Sequence, residues 1–143
     1  MIAIGCDHGG FELKQAIMAH LTERGDSFHD YGTYTSESCD YPKYAKLVAK
    51  AVASGECSCG ILICGTGIGV SITANKIPGI RAALCGDCFS AEATRLHNDA
   101  NILTLGARVT GEGLALKIVD TFLDTPFSQD ERHIRRISQI EGD

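Results

Sequence analysis

The sequence predicts an α/β fold: a three-layer αβα sandwich on a five-stranded parallel sheet, with one extra helix at the C-terminal end. Three observations carry this expectation. Short apolar runs alternate five times with segments of helical period. Several of those runs are apolar on both faces, as strands covered on both sides must be. Glycine or proline stands at many of the boundaries between them.

IAIGC, residues 2–6, reads as a buried strand that ends in a turn. Residues 10–24 place Phe11, Leu13, Ile17, Met18 and Leu21 near helical period, and Gly25 is the stop signal. SFHDYG, 27–32, is a second, weaker strand. The polar loop TYTSESCD leads to a helix over 41–54, with Asp40 as its cap, Pro42 in its first turn and Gly55 past its end. CGILIC is the third strand, and a helix starting near Gly67 is closed by Pro78 and Gly79. IRAALC is the fourth strand, followed by a helix over 88–98 that ends in His97 and Asn98. ANILTLG is the fifth strand, followed by a helix over 112–123. Pro126 interrupts, and a last helix covers 130–140. Right-handed crossovers then give a Rossmann-like, doubly wound sheet, expected in the order 2-1-3-4-5. With no internal repeat, linker or low-complexity tract, residues 1–143 read as a single domain.

Composition narrows the function classes. The formal net charge is −5, which gives no broad attraction for nucleic acid or an acidic membrane surface. No apolar run is long enough to span a bilayer. MIAIGCDHGG has no basic leader and no long apolar stretch, so no secretory signal is expected. Seven cysteines, an odd number without a leader, point to a reducing compartment and a cytoplasmic location. A zinc site is disfavoured although Cys57 and Cys59, and Cys85 and Cys88, are close pairs. Cys59 enters an apolar strand and Cys85 ends another, whereas structural zinc prefers loop-rich pairs. Most of these cysteines read as small buried hydrophobes.

In a doubly wound sheet, ligands bind beyond the carboxyl ends of the strands. Asp7 and His8 follow strand one; Cys64, Gly65, Thr66, Gly67, Ile68 and Gly69 follow strand three; Asp87 and Cys88 follow strand four; Arg108 follows strand five. His97 and Asn98 fall on the opposite edge, at a helix-to-strand junction, which hints at a dimer. The turn after strand three matches a dinucleotide fingerprint only in part. Val70 stands where a third small residue is needed, and the turn is not on the first strand. A cradle for a small anion or a reaction oxyanion fits better, since glycines let backbone amides approach a ligand. A thiol beside such amides favours the thiolate, which serves as nucleophile or as base. Structural alternatives stand beside each reading. Cys64 suits a buried strand end, His97 a helix-end cap, His8 a surface histidine, Asp7 a cap of the following helix, and the Arg132–Arg136 pair a solvated face.

GCDHGGFELK, DYP at 40–42, CGTGIGVSITANK at 64–76, RLHNDANILTLGAR at 95–108 and ERHIRRI at 131–137 occur in this order along the chain. Together they resemble the sugar-phosphate isomerase family that includes ribose-5-phosphate isomerase B and the galactose-6-phosphate isomerase subunits. The resemblance covers almost the whole chain. It implies interconversion of D-ribose 5-phosphate and D-ribulose 5-phosphate through ring opening and an enediolate, with no metal or other cofactor. A hexose 6-phosphate isomerase (galactose or allose 6-phosphate) is the alternative it allows.

The resemblance also implies roles. Cys64 is the base for the C2 proton, and the amides of Gly65 to Gly69, Ile68 included, stabilise the enediolate oxygen. Thr66 orients protons on O1 and O2. His97 opens the ring, with Asp7 binding sugar hydroxyls or sharing that step. His8, Arg108, Arg132 and Arg136 hold the phosphate, and Tyr41 and Asn98 line the sugar pocket. The implied assembly is a homodimer with its active site at the interface; pairing of dimers into a tetramer is left open.

Overall fold

The computed structural model describes residues 1–142. Five strands form one all-parallel sheet: β1 (Ile2–Cys6), β2 (Phe28–Asp30), β3 (Cys59–Cys64), β4 (Ala82–Leu84) and β5 (Ile102–Gly106). Six α-helices accompany them: α1 (Phe11–Arg24), α2 (Tyr41–Ala53), α3 (Ile68–Ala74), α4 (Cys88–Asn98), α5 (Glu112–Asp124) and α6 (Glu131–Glu141). The predicted α/β class, the Rossmann-like layering and the extra C-terminal helix are all present.

The two faces of the sheet are read off β3. Ile61 and Ile63 point to the side covered by Leu13, Ile17 and Leu21 of α1, Ala91 of α4, and Ile118 and Phe122 of α5. Leu62 and Cys64 point to the other side, covered by Ala45, Val48 and Val52 of α2 and by Val70 and Ala74 of α3. Alternation along a strand therefore decides that Cys64 faces the α2–α3 layer. Each of the fully buried residues Ile61, Leu62 and Ile63 contributes about 1.5–3 kcal/mol by leaving water.

The strand order corrects one expectation. The sheet runs β2-β1-β3-β5-β4, so the last two strands are exchanged relative to 2-1-3-4-5. Burial explains the exchange. β5 is buried at all five positions and needs a neighbour on each side. β4 is three residues long and has no fully buried residue, which suits an edge. Registers Gly60 with Ile102 and Cys64 with Gly106 place the end of β5 beside Cys64.

Two capping expectations come out differently from each other. Pro42 is in the first turn of α2, but Asp40 makes no side-chain cap bond; its backbone is extended while its carboxylate stays off the helix amides. Asp7 does cap, on a 3-10 turn (His8–Gly10) that leads into α1. Its Oδ1 accepts from Gly9 N–H at 2.9 Å and Gly10 N–H at 3.2 Å.

Helix α4 runs back across the sheet. Its 11 residues span about 16 Å, from Cys88 at the carboxyl edge to Asn98 near Arg81, which precedes β4. Helix α6 docks against the far end of α4. His133 is buried there with its ring stacked on His97, centroids 4.5 Å apart, and Glu141 accepts from Arg81 at 2.6 Å.

Candidate active site

The β3–α3 turn is built around Gly67. This residue has φ of 80°, the left-handed region. A Cβ there would stand 2.5 Å from Leu84 Cδ1 and 2.8 Å from the Leu105 carbonyl carbon, so the strand neighbours close the space. The turn folds its amides inward. Gly67 N–H donates to Cys64 Sγ at 3.1 Å, and Ile68 N–H donates to Thr66 Oγ1 at 3.2 Å. Thr104 Oγ1 donates to the Gly67 carbonyl at 3.0 Å, tying the turn to β5.

Above the turn is a cleft of about 410 Å³, lined by Asp7, Tyr41, Cys64, Gly65, Thr66, Ile68, Gly69 and Ile72. Its size suits a small metabolite. Cys64 is 5% exposed at its floor, and Thr66 is exposed on the turn. The Tyr41 ring lies against Gly69: a Cβ on Gly69 would stand 2.5 Å from Tyr41 Cε1. Glycine at 69 is what lets that ring close one wall. Arg108 lies over Gly65, its guanidinium Nη1 3.4 Å from where a Gly65 Cβ would sit, and its backbone N–H donates to the Gly65 carbonyl at 3.0 Å. His8 follows Asp7 directly, and its Nδ1 accepts from the Cys39 N–H at 3.2 Å.

Nine of the predicted site residues therefore gather at or beside this cleft: Asp7, His8, Tyr41, Cys64, Gly65, Thr66, Ile68, Gly69 and Arg108. Gly67 is buried behind it and holds the sulfur through its amide. The other four, His97, Asn98, Arg132 and Arg136, stand at the far end of α4 and on α6, outside the cleft of their own chain. His97, Asn98, Arg132 and Arg136 are exposed. Asn98 Oδ1 accepts from Thr94 Oγ1 at 3.1 Å, and Arg132 stands 3.6 Å from Asp130. Burial lowers the His133 pKa, and the charges of His97, Arg132 and Arg136 push the same way.

Two participants had escaped sequence reasoning. Ile72 lines the cleft, and its signal was the i+4 spacing from Ile68 on an exposed helix face. Cys39 meets His8 across 31 residues of chain, a contact no local pattern announces. Two of the other thiols lie deep in the core. Burial pushes Cys6 up to about 12 and Cys85 up to about 11, which keeps both protonated at neutral pH. All seven cysteines are free. Among the described residues no three His, Cys, Asp or Glu side chains gather as a metal site. No helix among them is long and apolar enough to cross a membrane.

Comparison with known proteins agrees with the geometry. The family described as ribose/galactose isomerase matches residues 2–140. Ribose-5-phosphate isomerase B of Escherichia coli is 54% identical over 139 residues, which cover 97% of this chain and 93% of the relative. The structure of Clostridium thermocellum ribose-5-phosphate isomerase B superposes with a TM-score of 0.96 at 54% identity, covering 98% of this chain and 94% of the other. The Mycoplasma genitalium ribose-5-phosphate isomerase B structure with bound ribulose 5-phosphate gives 0.92 at 42% identity, over 98% and 93% of the two chains.

Proposed function

The chain belongs to the ribose/galactose isomerase family, and from that premise we propose that it interconverts D-ribose 5-phosphate and D-ribulose 5-phosphate. The observation that carries the mechanism is the Cys64 sulfur, on the cleft floor, receiving the Gly67 N–H at 3.1 Å. That hydrogen bond fixes the sulfur at the cleft floor, where the reacting carbons of a bound sugar would lie. The C2 hydrogen of an aldose is weakly acidic, so the reaction needs both a base and a home for the negative charge that forms on oxygen.

In the proposed sequence the substrate arrives as a furanose. His97, supplied by a second copy of the chain, transfers a proton from the C1 hydroxyl to the ring oxygen, so that the C1–O4 bond breaks and the C1 aldehyde forms. Asp7 orients the hydroxyls with the carboxylate oxygen that does not cap the 3-10 turn. Cys64 then takes the C2 proton. The electron pair moves into the C1–C2 bond, and the carbonyl oxygen becomes the enediolate oxygen. With Gly67 and Ile68 engaged inside the turn, the amides of Gly65, Thr66 and Gly69 receive that charge. Thr66 carries the proton between O2 and O1, and the sulfur returns its proton to C1 to give the ketose. No metal or organic cofactor enters these steps.

The phosphate is held by His8 and Arg108 of one chain and by Arg132 and Arg136 of the partner. Guanidinium groups suit the task because their planar forks donate paired hydrogen bonds. Arg132 and Arg136 are one turn apart on α6 and share a face. Tyr41 and Asn98 border the sugar. The division of the site residues into two groups supports a homodimer with shared sites; the reading also takes residues 1–143 as one catalytic domain working in the cytoplasm.

Two measurements test this. Purified protein in EDTA is expected to show its highest kcat/KM on ribose 5-phosphate, compared with allose 6-phosphate and galactose 6-phosphate. A preference for either hexose phosphate replaces the substrate and keeps the chemistry. Arg136→Ala is expected to raise KM by about tenfold or more with a smaller change in kcat, as loss of a phosphate contact made equally in ground and transition states does. An unchanged KM removes Arg136 from the phosphate site.

A further inference from the structure

Lys14 is an ammonium group in the wrong kind of place. It lies on the apolar stripe of α1, three residues before Ile17 and seven before Leu21, and it is fully buried. Its Nζ donates to Asp30 Oδ1 at 2.7 Å and to the Thr33 carbonyl. The rings of Phe11 and Tyr34 lie 5.7 and 5.3 Å from it. Buried ion pairs are rarely better for stability than apolar side chains of the same volume, because desolvation offsets the attraction. What such a pair does provide is a fixed geometry.

We propose that Lys14 is a positioning residue for the phosphate grip: it clamps the segment 30–40 so that Cys39 fixes the His8 ring. The segment is held at both ends. At its start, Asp30 Oδ1 takes Lys14 and the Gly32 N–H together. Thr33 is pinned from two sides, its N–H on the Cys6 carbonyl at 2.8 Å and its carbonyl on Lys14. Tyr34 Oη donates back to the Asp30 carbonyl at 3.0 Å. At its end, Cys39 N–H donates to His8 Nδ1 at 3.2 Å. A nitrogen that accepts an N–H carries the lone pair, so the proton of the neutral ring sits on Nε2. That N–H is the donor His8 presents to an anion. The next residues lead into Tyr41, whose ring packs on Gly69. One buried cation thus orders both a phosphate ligand and a wall of the cleft. The inference rests on the proposed function for the identity of the anion.

The experiment pairs steady-state kinetics with long-range ¹⁵N–¹H spectra of the His8 ring. The wild type is expected to show a single His8 tautomer, protonated on Nε2, whatever sugar it isomerises. Absence of turnover by the wild type therefore counts against the isomerase reading alone, and the spectra judge Lys14 separately. Lys14→Met is expected to mix the His8 tautomers and raise KM for ribose 5-phosphate about tenfold, with kcat within about threefold, the scale expected when a binding group loses its fixed position. Asp30→Asn keeps the shape and weakens the hold on Lys14; it is expected to give the same changes at smaller size. If Lys14→Met does not fold, Asp30→Asn decides. A folded variant with wild-type KM and a single Nε2-protonated tautomer overturns the proposal.

Discussion

Cys64→Ala is expected to lower kcat by about three orders of magnitude or more, the combined scale of general-base catalysis and of positioning. The fold is expected to survive. Removing one sulfur from the cleft floor costs about 1 kcal/mol, because the site is open on the substrate side and leaves little closed cavity. The unfolding midpoint checks that point, and the rate of C2 hydrogen exchange with solvent checks the chemistry. Both isomerisation and exchange are expected to vanish together, since one group removes and returns the proton. Exchange that continues at the wild-type rate assigns the base to another residue and leaves Cys64 a structural role beside Gly67.

Mixing two inactive variants is expected to restore activity. Cys64→Ala keeps His97, and His97→Ala keeps Cys64. In a homodimer with shared sites, a mixed dimer has one site with both changes and one with neither. Statistical re-association makes half the molecules mixed, so recovery approaches about a quarter of the wild-type rate. Native mass spectrometry establishes that the mixed species has formed. Mixed dimers without activity exclude the shared site and require His97 to act on its own chain. That outcome conflicts with the length of α4, whose 11 residues carry His97 to the far edge of the sheet.

The order of elements was legible because it is written in local signals. Apolar runs mark β1, β3 and β5, and Gly25 takes the left-handed conformation that ends α1. The order of strands was not, since the choice between β4 and β5 for the central position depends on which is buried on both sides. Asp40 had the right residue type for a cap and Pro42 two residues on, yet residue type does not determine where a carboxylate points. Lys14 sat in plain view on a buried stripe with Ile17 and Leu21. Its partners Asp30 and Thr33 come from another segment, so the helical period of α1 gave no sign that an ammonium group is buried there.

The site divides along the same line. Local sequence was enough for the β3–α3 turn, because Cys64, Thr66 and the glycines lie within six residues of one another and glycine is the residue that the left-handed turn at 67 requires. Asp7 and His8 followed from the rule that strand ends carry ligands. Composition and motif order were enough for the α/β class and the family. Three-dimensional packing chose the rest: that Gly67 aims its amide at sulfur, that Tyr41 closes on Gly69, and that Cys39 holds the His8 ring. It also separated His97, Asn98, Arg132 and Arg136 from the cleft of their own chain. Helical period, strand alternation and turn chemistry act between residues close in sequence. Contacts between distant segments depend on burial and loop closure summed over the whole chain, and no short stretch of residues carries that sum.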